Sequence, residues 1–70
     1  MESKQNNKLG IKIKSLRQKA GFSQDELARK SDVAYTTLTK IETGVIKSPS
    51  VFVVAKIAKA LGVPMEDLLK

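Results

Sequence analysis

The stretch from Ser23 to Gly44, SQDELARKSDVAYTTLTKIETG, constrains the fold of this chain more than any other. Ser23 suits the free N–H groups at a helix start, and Glu26 three residues on completes an S-x-x-E capping pattern. Leu27 and Ala28 then face inward, Ser31-Asp32 breaks the run, and Val33 is a buried turn residue. Leu38 and Ile41 give a second helix its inner face at i, i+3 spacing, and Gly44 ends it in a left-handed conformation. Ala28 matters by its smallness, because two helices crossing steeply over a short turn leave no room for a larger side chain.

Seventy residues make one domain with a small core. Cysteine is absent, so no disulfide braces that core. Histidine is absent too, which removes zinc sites of the usual kind and the commonest general base. No nucleophile and base stand at recognisable spacing, so the sequence argues against an enzyme and implies no cofactor or metal. Thirteen Lys and Arg against seven Asp and Glu give a net charge of +6, which fits a polyanionic partner. No apolar run approaches the roughly 20 residues that span a membrane, and MESKQNNK lacks the apolar core of a secretory signal. A soluble cytoplasmic protein, associated with the nucleoid, is the expectation.

Residues 1–8 are polar and read as a flexible arm, with the folded domain at 9–70. A first helix is predicted from Leu9 to Ala20, with Leu9, Ile13, Leu16 and Ala20 inward and Lys12, Lys14 and Lys19 outward. Gly21 stops it and Phe22 dips back into the core. Arg17 lies beside the apolar face, where a charge needs a partner, and Glu42 is the candidate. After a loop from Val45 to Ser48, Ser50 caps a helix from Val51 to Leu61 with Val51, Val54, Ile57, Ala58 and Leu61 inward. Phe52 and Val53 are surplus to that stripe: either they wrap the edge of a thin core or they belong to a self-association surface. Gly62 and Pro64 set up a last helix, with Glu66 and Asp67 near its positive end and Met65, Leu68 and Leu69 closing it. The reading is all-α, five short helices, with the second and third forming a helix-turn-helix.

The segments LRQKAGFSQDELARKSDV, LTKIETG, PS and IAKALGV followed by DLL resemble the phage-repressor and Cro type (XRE family) of helix-turn-helix domain over about residues 9–70. The resemblance implies a five-helix lambda-repressor-like domain that binds DNA, usually as a dimeric transcriptional repressor. It also implies pairing of Arg17 with Glu42. Two positions depart from the family pattern. Asp32 stands where glycine is usual, although Asp tolerates left-handed geometry. Ala34 stands where Ser or Thr commonly caps the reading helix, a loss worth about 1 kcal/mol that Thr36 or Thr37 would offset only in part.

With Leu38 and Ile41 inward, the outward residues of the reading helix are Tyr35, Thr36, Thr39, Lys40 and Thr43. Tyr35, Thr36 and Lys40 match the family's base-contacting positions, with Thr39 a weaker candidate. Lysine donates to guanine O6 and N7, threonine bonds a base or touches a thymine methyl, and tyrosine packs on a methyl or bonds a phosphate. Gln24, at a helix start that attracts anions, is assigned to phosphate together with Thr37, Lys47 and Ser48. One short helix reads few base pairs, so a homodimer on a near-palindrome is expected, formed in full only on DNA, with Phe52, Val63, Pro64 and Met65 as contact candidates. The rival class is an antitoxin or adaptor whose main partner is another protein, such as a toxin. Nonspecific RNA or nucleoid binding is a third; Lys40 as the sole basic residue on the outward face of the reading helix argues against it.

Overall fold

The capping pattern at Ser23 opens the second of five α-helices in the computed structural model, which describes residues 8–69. α1 spans Lys8–Ala20, α2 Gln24–Ser31, α3 Tyr35–Thr43, α4 Val51–Leu61 and α5 Met65–Leu69, with no strand among the described residues. The expected arm lies outside the described residues apart from Lys8, which is the first residue of α1 rather than the last of an arm.

Local chemistry accounts for the helix ends. Ser23 Oγ accepts from the Glu26 N–H at 3.1 Å, and Glu26 accepts from the Ser23 N–H at 2.8 Å, so both halves of the capping box are present. The break after α2 falls at Asp32 alone. Ser31 is helical and buried, its hydroxyl donating to the Leu27 carbonyl at 2.7 Å, so the polar group is satisfied inside the helix it was expected to end. Asp32 takes φ 58° and ψ 39°, the one positive φ outside glycine among the described residues, and its N–H turns back to the Ala28 and Arg29 carbonyls. α3 begins after Ala34 with no side-chain hydrogen bond at its cap, so neither Thr36 nor Thr37 replaces one. It ends at Gly44, whose φ of 90° a side chain would strain. Ser50 caps α4 through the Val53 N–H at 3.2 Å.

One core follows from these placements: Ile13, Leu27, Ala28, Val33, Leu38, Ile41, Val54, Ile57, Ala58 and Leu68 are buried. α1 packs on α3, α4 and α5, α2 packs on α3 and α4, and α4 on α5. The five large, fully buried side chains, Ile13, Leu27, Leu38, Ile41 and Ile57, come from α1 through α4 and each contributes about 1.5–3 kcal/mol by leaving water.

Three positions expected inside are exposed. Ala20, the last residue of α1, is exposed, and Phe22 beyond the turn is half-buried against the core in its place. Val51, the first residue of α4, is exposed because the stripe only meets the core from Val54 onward. Leu69 is exposed one position past buried Leu68. Leu9, Leu16 and Leu61 are only partly covered, while Gly10 is buried. Val53 wraps the edge of the core, whereas Phe52 is 76% exposed and does not.

Candidate nucleic-acid interface

The burial of Leu38, Ile41 and Glu42 fixes the rotation of α3. Counting about 100° per residue, Thr36, Lys40 and Thr43 fall on the opposite side, and all three are exposed. Tyr35, 49% exposed, opens the helix about 100° round from Thr36, beside that face rather than on it. Thr39 is half-buried at its side, and its hydroxyl donates to the Thr36 carbonyl at 2.9 Å. The Thr43 hydroxyl donates likewise to the Thr39 carbonyl at 3.0 Å. Both therefore present a methyl and an acceptor oxygen outward, and a free donor on this face comes from Lys40, Thr36 and Tyr35.

An ion pair holds this face in place from behind. Arg17 Nε donates to Glu42 Oε2 at 2.9 Å and its second guanidinium arm reaches Oε1 at 3.2 Å, a two-pronged contact. The remaining arm donates to the Phe22 carbonyl at 2.8 Å. The two side chains are 10% and 2% exposed, so the pair ties the last turn of α1 to the last turn of α3 inside the fold.

Gln24 joins this network, which sequence reasoning missed. Its side-chain nitrogen donates to Glu42 Oε1 at 3.0 Å, drawing the start of α2 onto the same carboxylate. The signal was one of capacity: a buried carboxylate has about four acceptor positions, and two arginine donors leave room for another. One amide hydrogen of Gln24 is thus engaged inward.

The phosphate candidates do not all lie alike. Lys47 and Ser48 are exposed in the loop after α3, which is pinned by the Ile46 N–H donating to the Lys40 carbonyl at 3.0 Å. Thr37 is half-buried on α3. The self-contact candidates are split: Phe52 stands on the first turn of α4, while half-buried Val63 and Met65 and exposed Pro64 follow its far end. α4 rises about 13 Å from Phe52 to its last residue Leu61, and Val63 follows only beyond the Gly62 turn, so they do not form one patch.

Among titrating groups, Glu26 is held below its ordinary range chiefly by the Ser23 backbone N–H, with the Ser23 hydroxyl, Arg29 and Lys30 adding to the effect. Arg29 pairs with Asp25 at 3.2 Å one turn away, and Lys30 Nζ sits 5.2 Å from the centre of the Phe22 ring. Among the described residues no group of three or more His, Cys, Asp or Glu is placed to hold a metal, and no helix is long and apolar enough to cross a membrane.

Comparison with known proteins places this geometry in a wider set. A helix-turn-helix family model matches residues 13–68. The HTH-type transcriptional regulator SinR of Bacillus subtilis (strain 168) is 36% identical over 61 residues, covering 87% of this chain and 55% of that protein. SinR of Bacillus licheniformis gives the same values. The chain thus spans about half the length of the curated relatives it matches. The crystal structure of SinR, described as the master regulator for biofilm formation, in complex with DNA superposes with a TM-score of 0.86 at 35% identity, covering 89% of this chain and 98% of that one. A SinR–SinI protein complex matches with the same TM-score and identity, covering 89% of this chain and 60% of the other.

Proposed function

The chain belongs to the helix-turn-helix family of the Cro and phage-repressor type, a family of DNA-binding regulators rather than enzymes, and on that footing we propose that it is a sequence-specific, double-stranded DNA-binding transcriptional repressor. The observation that carries this reading is the solvent face of α3: Tyr35, Thr36 and Lys40 are exposed together on a helix locked from behind by Arg17, Gln24 and Glu42. A helix of this kind lies in the major groove with its outward side chains on base edges. Lys40 takes guanine, Thr36 and Tyr35 take a base edge or a thymine methyl, and Thr39 lends a methyl from the side. Gln24, Thr37, Lys47 and Ser48 hold the flanking phosphates and set register without reading sequence.

The protein acts in the cytoplasm as a homodimer on a near-palindromic operator, since one α3 reads too few base pairs to select a genomic site. Phe52 and the Val63–Met65 turn are separate contact candidates in that assembly. Selection of bound sequences from random duplex DNA tests the whole reading. A near-palindromic motif is the expected result, and its loss of one specified base pair per half-site with Lys40→Ala would assign that contact.

A second reading, as an antitoxin or adaptor whose main partner is a protein, is favoured by one observation: SinR is also known in complex with SinI, and exposed Phe52 here is left without cover. The two readings are compatible on one chain.

A further inference from the structure

We infer that the outer face of α1 is a second, sequence-independent nucleic-acid surface, which takes the phosphate backbone of a DNA segment other than the one read by α3. Lys8, Lys12 and Lys19 fall within about 40° of one another around α1 and extend about 16 Å along it. All three are exposed, Lys14 stands more than about 100° round the helix from them, and α1 contains no Asp or Glu. The ion pairs Arg17–Glu42, Arg29–Asp25 and Lys56–Asp32 involve none of these lysines. The first turn of α1 is basic where the helix dipole favours acids. Helix stability therefore does not explain the pattern.

The position of the stripe separates it from the reading face. α1 and α3 meet through Arg17 and Glu42. Lys8 lies about 180° round α1 from Arg17, and Lys40 about 160° round α3 from Glu42. The two basic surfaces thus face away from each other across two packed helices, on the order of 20 Å. That is about twice the screening length at 0.1 M salt, so a duplex seated on α3 gains little from the far lysines.

The chemistry selects nucleic acid among polyanions. The charged groups are all lysine, a hydrated point charge that suits a diffuse phosphate track, with no outward arginine for bidentate carboxylate recognition. Lysine is depleted in protein–protein interfaces, and this face offers none of the aromatic anchors they use. Ile11 is its one large exposed apolar residue, too little for insertion into a lipid surface. A protein with both surfaces occupied holds two DNA segments together.

Capture of a free labelled duplex by a bead-bound duplex through the intact chain, at 0.1 M salt, tests this. The variant is Lys12→Glu/Lys19→Glu, and Lys56→Glu/Lys59→Glu on α4 provides the same change in net charge elsewhere. The wild type and the α4 variant should capture the second duplex. The α1 variant should lose capture at least tenfold, while binding a single short duplex within twofold of the α4 variant; Lys12→Gln/Lys19→Gln should fall between. Circular dichroism of every variant should match the wild type, since these side chains are exposed. Unchanged capture by the α1 variant would mean a merely solvated face, and an equal loss of single-duplex binding would place the stripe on the same duplex as α3. Either result, or no capture by the wild type, overturns the inference without touching base readout by α3.

Discussion

Arg17 and Glu42, far apart in sequence, meet through two hydrogen bonds of 2.9 and 3.2 Å inside the domain, and their contact sets the angle at which α3 is offered to solvent. Removing one partner strands the other charge. Glu42→Ala is expected to cost about 3–5 kcal/mol in chemical denaturation, whereas a paired Arg17→Met/Glu42→Leu replacement should cost far less or nothing. Gln24→Ala, which removes one hydrogen bond to a charged acceptor, should cost about 1.5–3 kcal/mol.

Base readout and backbone holding are separable on the two lysines flanking the end of α3. Lys40→Ala should relax preference at one base pair, losing about 1–3 kcal/mol on the best site and little on the others. Lys47→Ala should weaken all sequences alike and lower the salt dependence by about one ion. Binding titrations on a panel of duplexes at several salt concentrations measure both.

The start of α3 is under-capped, and this gives a gain-of-stability prediction. Ala34→Ser supplies the missing acceptor where Ala34 already has an extended backbone. Melting should show a stabilisation of about 1 kcal/mol with the fold unchanged.

Glu26 gives a pH dependence whose sign follows from its capping role. Its carboxyl is held below the ordinary value by bonds to the Ser23 backbone and hydroxyl, so the unfolded chain binds the proton more readily. Its contribution is complete above the ordinary glutamate pKa of about 4.3 and is lost as pH falls through the depressed folded value. Thermal stability should decline as pH falls below the ordinary glutamate range, and Glu26→Gln should remove part of that slope.

Most of the architecture was legible because its signals are local. The Ser23–Glu26 box, Ser50, Gly44 and Gly62 mark ends that any helix must satisfy, and they located α2, the bounds of α4 and the end of α3. Apolar spacing marked out the five helices, and the family resemblance added the base-contacting positions. What stayed hidden depends on neighbours distant in sequence. Whether Val51 or Val54 begins the buried stripe, and whether Ala20 or Phe22 closes the end of α1, is decided by which helix lies across them. The Gln24–Glu42 bond and the split between Phe52 and Val63 are likewise facts of tertiary placement, and no spacing along the chain encodes them.

The most direct test is backbone and side-chain chemical-shift mapping during titration with a duplex carrying the selected motif. Perturbations centred on Tyr35, Thr36 and Lys40, with smaller ones at Gln24, Lys47 and Ser48, are predicted. A response concentrated on another surface, with those three residues undisturbed, would contradict the assignment of α3 as the reading helix.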